Sequence, residues 1–350
     1  MLSAPPAALS PNMFELSTRT LPAGVFGGQA GRMRSLGWLF TLVAVASLCA
    51  GCANESLASE ADELRAEVAG LPGVTSAKLD YSEPITLDSG KVVLKVEMDD
   101  TATPDEVVAV TETAYRAFSS THQDEEADLS VRAGQTTVAL RSFEPEASVT
   151  AVSDAARAGL MARPDGGSVA IDLTTDGVPK GDHVAGTYIV ALPEGSTFAE
   201  VPDLLASLGV DQSENAQIGW GGAAADGSSL SYDRGFPPDQ LVGRWERMQR
   251  AEVPLAVRAF HDGVVIAEGR VTARYDVKDA ADRRSLDRLT HPQLHALAEG
   301  DGEWAYTLIG ADGAFLADID RFVCVPSPGG PYDDQLEAWA TEQFGPCEAS

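Results

Sequence analysis

The chain reads as an α+β protein of tandem two-layer α/β sandwiches with antiparallel sheets. Three observations predict this. Its strands alternate apolar and polar residues, as a sheet buried on one side requires. Its elements fall three times into the order α-β-β-α-β-β, a circular permutation of the ferredoxin-like plan. A helix-starting capping box, in which two side chains satisfy the helix's orphan amides reciprocally, recurs at spacings of roughly 90 residues. The boxes are Thr103-Pro104-Asp105-Glu106, Thr197-Phe198-Ala199-Glu200 and Thr290-His291-Pro292-Gln293.

The elements follow from periodicity. Leu57, Ala61, Leu64, Val68 and Leu71 step by three and four, so they predict an amphipathic helix. Ala77, Leu79 and Tyr81 alternate with Ser76, Lys78 and Asp80. Val92, Leu94, Val96 and Met98 alternate with Val93, Lys95 and Glu97, a second strand. A helix opens at Pro104, with Val107, Val110, Ala114 and Phe118 on its core side. A hairpin over Leu129 to Arg141 turns at Ala133-Gly134-Gln135. The second unit repeats this with a helix at Ala147–Met161, strands at Ser168–Thr174 and Thr187–Leu192, a helix at Phe198–Leu208 and a hairpin about Asp226-Gly227. The third has a helix at Asp239–Arg250 and strands at Pro254–Phe260 and Val264–Tyr275, joined by His261-Asp262-Gly263. A charged loop, Asp276–Leu289, then leads to a helix at Pro292–Glu299 and a hairpin at Ala311-Asp312-Gly313. Leu336, Trp339 and Ala340 make the apolar stripe of a terminal helix, Asp334–Phe344. The expected units are 61–143, 144–234 and 235–350.

Upstream of these lies Met33 to Cys52, MRSLGWLFTLVAVASLCAGC. Arg34 is the positive start, Leu36 to Leu48 an apolar run too short to span a bilayer, and Cys49-Ala50-Gly51 the small residues before Cys52. This order resembles the bacterial lipoprotein signal, although Cys49 stands where that family prefers Leu, Val or Ile. The resemblance implies cleavage of 33–51, acylation of Cys52, a lipidated spacer over 52–60 and an extracytoplasmic location on the cell membrane. Residues 1–32, with four prolines and no apolar periodicity, read as a disordered extension or as sequence ahead of the true start at Met33.

Of the four cysteines, two remain after export, Cys324 and Cys347. In an oxidising compartment they are expected to pair, closing a loop worth about 3 kcal/mol. The net charge of −28, from 53 acidic and 25 basic residues, argues against nucleic acid or an anionic lipid surface as partner.

Chemistry-bearing patterns are sparse. His291 and His295 share a helix face at the spacing of a two-His metal site, but His-Pro-Gln-Leu-His lacks the Glu of the zinc-protease motif. Gly219-Trp220-Gly221-Gly222-Ala223-Ala224 fits G-x-G-x-x-A without the following helix a dinucleotide site needs, so it reads as a flexible hairpin loop. Trp220 is then either a contact residue or core. Glu125-Glu126 and Asp333-Asp334 read as solvated turns. No catalytic residue and no cofactor emerges. The expected function is a non-enzymatic, lipid-anchored binding or scaffold protein whose partner is an envelope protein or a cell-wall polymer. A small-ligand receptor and a metal-dependent hydrolase around His291 and His295 are the alternatives.

Overall fold

The computed structural model describes residues 56–85, 89–143, 145, 147–175, 184–209, 217–249, 255–259, 271–277, 283–299, 303–310, 313–321 and 330–347. The N-terminal extension, the signal, Cys52, Cys324 and the expected turn at 261–263 lie outside them.

Among the described residues six hairpins alternate with helices. They run α1 (Ala58–Ala69), β1 (Val74–Ser82), β2 (Lys91–Met98), α2 (Pro104–Phe118), β3 (Glu126–Ala133), β4 (Thr136–Ser142) and α3 (Val149–Met161). Next come β5 (Ser168–Thr174), β6 (Ala185–Ala191), α4 (Val201–Gly209, entered through a 3-10 turn at Phe198–Glu200), β7 (Ile218–Ala223), β8 (Ser229–Tyr232) and α5 (Asp239–Gln249). The chain closes with β9 (Leu255–Ala259), β10 (Val271–Asp276), α6 (Arg283–Ala298), β11 (Trp304–Ile309), β12 (Phe315–Asp320) and α7 (Asp333–Phe344). The α+β class and the α-β-β-α-β-β order are those the sequence predicts.

The pairing of the strands differs from the expectation in two respects. All twelve strands join one sheet in sequence order, so the expected tandem sheets are continuous. The sheet is also mixed rather than antiparallel. Strands within a hairpin are antiparallel, as in β3–β4, while strands joined through a helix are adjacent and parallel, as in β2–β3 and β4–β5. The ferredoxin-like plan interleaves its strands, whereas here each helix returns the chain to the next position. The repeat of the backbone is therefore one helix and one hairpin, half the length read from the capping boxes. The boxes occur at alternate helices: Thr103 and Thr197 both form them, while α3 is capped by Ser148 alone, whose Oγ accepts from the Ala151 amide at 3.1 Å.

Helices α2 and α3 lie side by side on one face, tied by an Arg157–Asp105 ion pair and by the Tyr115 hydroxyl, which donates to the Ala147 carbonyl at 2.8 Å. Because β3 and β4 run oppositely, the crossovers through α2 and α3 have opposite hands. One of them thus departs from the right-handed rule for parallel connections. Under the helices the alternation is sharp. Val92, Leu94 and Val96, and Leu129 and Val131, are buried, whereas Lys95, Glu97, Ser130 and Arg132 between them are exposed.

Two hydrophobic clusters fill the interface, one from α1 to Trp220 and one from Val201 to Ala340. At the end of the first, Tyr188 packs edge-on to Trp220 with ring centres 4.8 Å apart, and Phe236 stacks on Trp220, also at 4.8 Å. Helix α3 approaches the sheet closely because Gly159 has no side chain there: a Cβ would sit 2.7 Å from Ile171 Cδ1.

The third capping box does not form. Helix α6 begins at Arg283, so Thr290 is interior, and its hydroxyl donates to the Leu286 carbonyl at 2.9 Å. Gln293 is buried and accepts from the Tyr306 hydroxyl at 2.5 Å. The second half of the expected charged loop, from Arg283 to Leu289, is helix, because Leu286, Leu294 and Leu297 anchor one buried stripe. Pro292, which resembles a first-turn proline in sequence, is tolerated within the helix.

Candidate functional site

A largely buried polar cluster, Tyr81–Glu125–His122, lies at the end of the sheet where the described chain begins. Tyr81 comes from the last turn of alternation in β1, on the helix side. His122 and Glu125 come from the turn between α2 and β3, which closes through the Glu125 amide donating to the His122 carbonyl at 3.0 Å. His122 Nδ1 lies 2.6 Å from Glu125 Oε2, and the Tyr81 hydroxyl donates to Glu125 Oε1 at 2.7 Å. That hydroxyl in turn accepts from the Leu57 amide at 2.9 Å, ahead of α1. His122 is 1% exposed and Glu125 4%. Burial, and then the hydrogen bond to Glu125, push the Tyr81 phenol above its ordinary range. Gly90 makes room: its φ is +83°, and a Cβ there would meet Glu125 Oε1 at 3.0 Å.

A histidine oriented by a carboxylate is the base half of a nucleophilic triad. Here the other ring nitrogen, Nε2, is buried and has no partner among the described residues. Among the described residues no nucleophile meets it, and the ring is buried. The cluster's evident work is mechanical, joining the start of α1 to β1 and to the α2–β3 turn. The expected solvated turn at Glu125-Glu126 is exposed only at Glu126; Glu125 is buried. Its only signal was a histidine three residues upstream.

His291 and His295 do share a face of α6, in mid-helix, and α7 occupies that face. The His291 ring stacks on Trp339 at 3.8 Å and 1°, while His295 meets Trp339 and Phe344 edge-on, each at 5.4 Å. Asp287 Oδ1 lies 3.6 Å from His291 Nε2 and accepts from the Tyr332 hydroxyl at 2.5 Å. Burial lowers the affinity of His291 for a proton, with Asp287 opposing and His295 adding to the effect. No group of three potential metal ligands occurs among the described residues.

Cys347 is disulfide-bonded. Its sulfur lies 3.6 Å from the Asp320 carbonyl oxygen, at the end of β12 and four residues before Cys324. Arg321 strengthens the same corner, donating from Nη1 to the Gly345 carbonyl at 2.9 Å and lying 5.7 Å from the centre of the Trp304 ring.

The glycine run forms strand β7, not a loop, and Trp220 is core at 2% exposure. Glycine is needed there because a Cβ at Gly219 would lie 2.2 Å from the Tyr232 carbonyl oxygen, and one at Gly222 would lie 2.7 Å from Val201 Cγ1. Asp333 is likewise no solvated turn: it is 3% exposed and accepts from the Asp318 amide at 2.8 Å.

An open cleft of about 290 Å³ between α5 and α6 is lined by Asp239, Gln240, Gly243, Arg244, Arg247 and Glu299. Arg247 and Glu299 pair within its lining at 2.8 Å.

The remaining surface of note is the sheet face opposite the helices. Its charges are partly paired, Lys91 with Asp128 at 2.9 Å and with Glu126 at 3.3 Å, and Arg141 with Asp172 at 3.6 Å. Among the described residues no helix is long and apolar enough to cross a membrane. No protein-family model, curated protein or solved structure matches the chain.

Proposed function

We propose that this chain is a lipid-anchored extracytoplasmic scaffold, tethered through acylated Cys52 and presenting the open face of its sheet to an envelope protein or cell-wall polymer. The observation that carries the scaffold reading is the exposed row of Lys95, Glu97, Ser130 and Arg132 across β2 and β3, on the face opposite α1, α2 and α3. A sheet with one polar face spends no apolar area there and leaves a broad, flat, hydrogen-bonding surface. The anchor rests on the signal-like sequence ending at Cys52. The Tyr81–Leu57 hydrogen bond would then hold the body close to the tether.

Metabolic labelling with a palmitate analogue tests the anchor: label is expected on the mature chain and absent from Cys52→Ser. The scaffold half has its own test. Residues 53–350 exported behind a cleavable signal without the lipid-attachment cysteine, and so unanchored, are expected to stay with the envelope fraction, and to leave it when Lys95 and Arg132 are both changed to Glu. Quantitative release of that unanchored chain would refute binding by the sheet face while leaving the anchor untouched.

A further inference from the structure

The two edges of the sheet are treated differently. At β12 the chain covers its own edge: the Asp318 amide donates to the Asp333 carboxylate at 2.8 Å, and the Leu316 carbonyl accepts from the Tyr332 amide at 3.1 Å. Gly330 permits this approach, since a Cβ there would lie 2.0 Å from the Leu316 oxygen. Such self-covering is a known defence against edge-to-edge pairing. At the other end β1 has nine residues and no proline, and among the described residues β2 is its only strand neighbour. Its helix-side residues Ala77, Leu79 and Tyr81 are only partly buried, although their partners Val96, Leu94 and Val92 are at most 1% exposed. The first core is thus unfinished along β1.

We propose that β1 pairs antiparallel with β1 of a second copy of this chain, about a two-fold axis through Leu79. The register follows from the side chains. With the axis at Leu79, Lys78 of each copy faces Asp80 of the other, and Ala77 faces Tyr81, so opposite charges meet on the open face and apolar groups on the helix face. An axis at Lys78 or at Asp80 would set like charges against each other. An axis between residues would turn each apolar set toward a polar one. An unrelated extended peptide has no reason to match this self-complementary pattern. The contact is a single strand pair, smaller than a standard interface, so the association is weak and depends on concentration. This edge pairing depends neither on the anchor nor on the sheet-face partner.

Single cysteines placed at positions 75, 77, 79 and 81 of the full-length chain, oxidised in cells, test the pairing. Only position 79 lies on the axis, so Leu79→Cys is expected to form copy-to-copy disulfides several-fold above the other three. In that background Lys78→Asp and Asp80→Lys should each reduce the yield by about tenfold, and the two together should restore it, because the swap keeps opposite charges facing. The absence of a copy-to-copy link at 79, a maximum elsewhere, a link to a different protein, or a double swap that folds but does not recover the yield would each overturn the proposal.

Discussion

Replacing Glu125 by Leu removes the centre of the buried Tyr81–Glu125–His122 cluster, and the structure sets the size of the effect. The carboxylate accepts two short hydrogen bonds, at 2.7 Å from Tyr81 and 2.6 Å at His122. Hydrogen bonds to a charged group contribute about 1.5–3 kcal/mol each. The substitution also strands an imidazole that is 1% exposed and whose Nε2 already lacks a partner among the described residues. Together these make Glu125→Leu cost about 4 kcal/mol, within the range for breaking a buried polar pair. The double variant His122→Leu/Glu125→Leu places apolar groups where both partners stood, and it should recover at least about 2 kcal/mol of that loss. Urea unfolding of wild type, both single variants and the double variant, followed by far-UV circular dichroism, measures the cycle. Hydrogen exchange at Leu57 and along β1 locates it. If Glu125→Leu stays within about 1 kcal/mol of wild type, or the double variant is as unstable as the single, the cluster does not hold the structure as argued.

Four further outcomes are expected. Gly186→Ala should lose more than about 2 kcal/mol, because a Cβ there would lie 2.1 Å from the Asp172 carbonyl oxygen across the β5–β6 pair. Gly243→Ala, whose nearest contact would be Arg247 Nη1 at 3.5 Å, should be neutral or stabilising by about 0.5–1 kcal/mol; melting curves of both variants decide. Burial lifts the Asp318 carboxyl above its ordinary 3.8, aided by Asp320 and Asp333 and opposed by the Thr307 hydroxyl. The folded chain therefore binds that proton more tightly than the unfolded one, and the contribution favours folding at low pH and is lost as pH rises through the raised value. Asp318→Asn should accordingly melt higher than wild type at neutral pH, and the gain should vanish below about pH 3.8. His291 behaves oppositely in sign. Burial depresses it below 6.5, so stability from its stacking on Trp339 is present above that value and declines as pH falls through the depressed one. Melting temperatures from pH 8 to pH 5 should drop more for wild type than for His291→Phe, and equal drops would exclude His291 as the source.

Much of the backbone plan could be read from residue order alone. The strand Ser168–Thr174 has the bounds predicted, and α2 starts at Pro104 behind its capping box as expected. These are local properties: alternation on a strand and caps on a helix depend on neighbours a few residues away. Thr290-His291-Pro292-Gln293 failed for the same reason. A local motif cannot show that Leu286 continues the buried stripe upstream, and tertiary burial outweighed the proline. The polar cluster was less legible. Among 53 acidic residues only His122, three positions upstream, sets Glu125 apart, and nothing in the sequence separates Asp333, which is also buried, from Asp99 or Glu126, which are exposed. Burial of a carboxylate is decided by the partner waiting for it, and Tyr81 lies 44 residues away.

Residue order by itself determined most of the helices and strands, and which side of those strands is apolar, because those preferences come from backbone sterics and from period. Only the tertiary structure decided that the strands join in sequence order into one mixed sheet, that the glycine run is a strand pressed against Val201, and that α7 claims the face of His291 and His295. Pairing partners and helix contacts are chosen by the fit of surfaces far apart in the chain, and that fit exists only once the layers have packed.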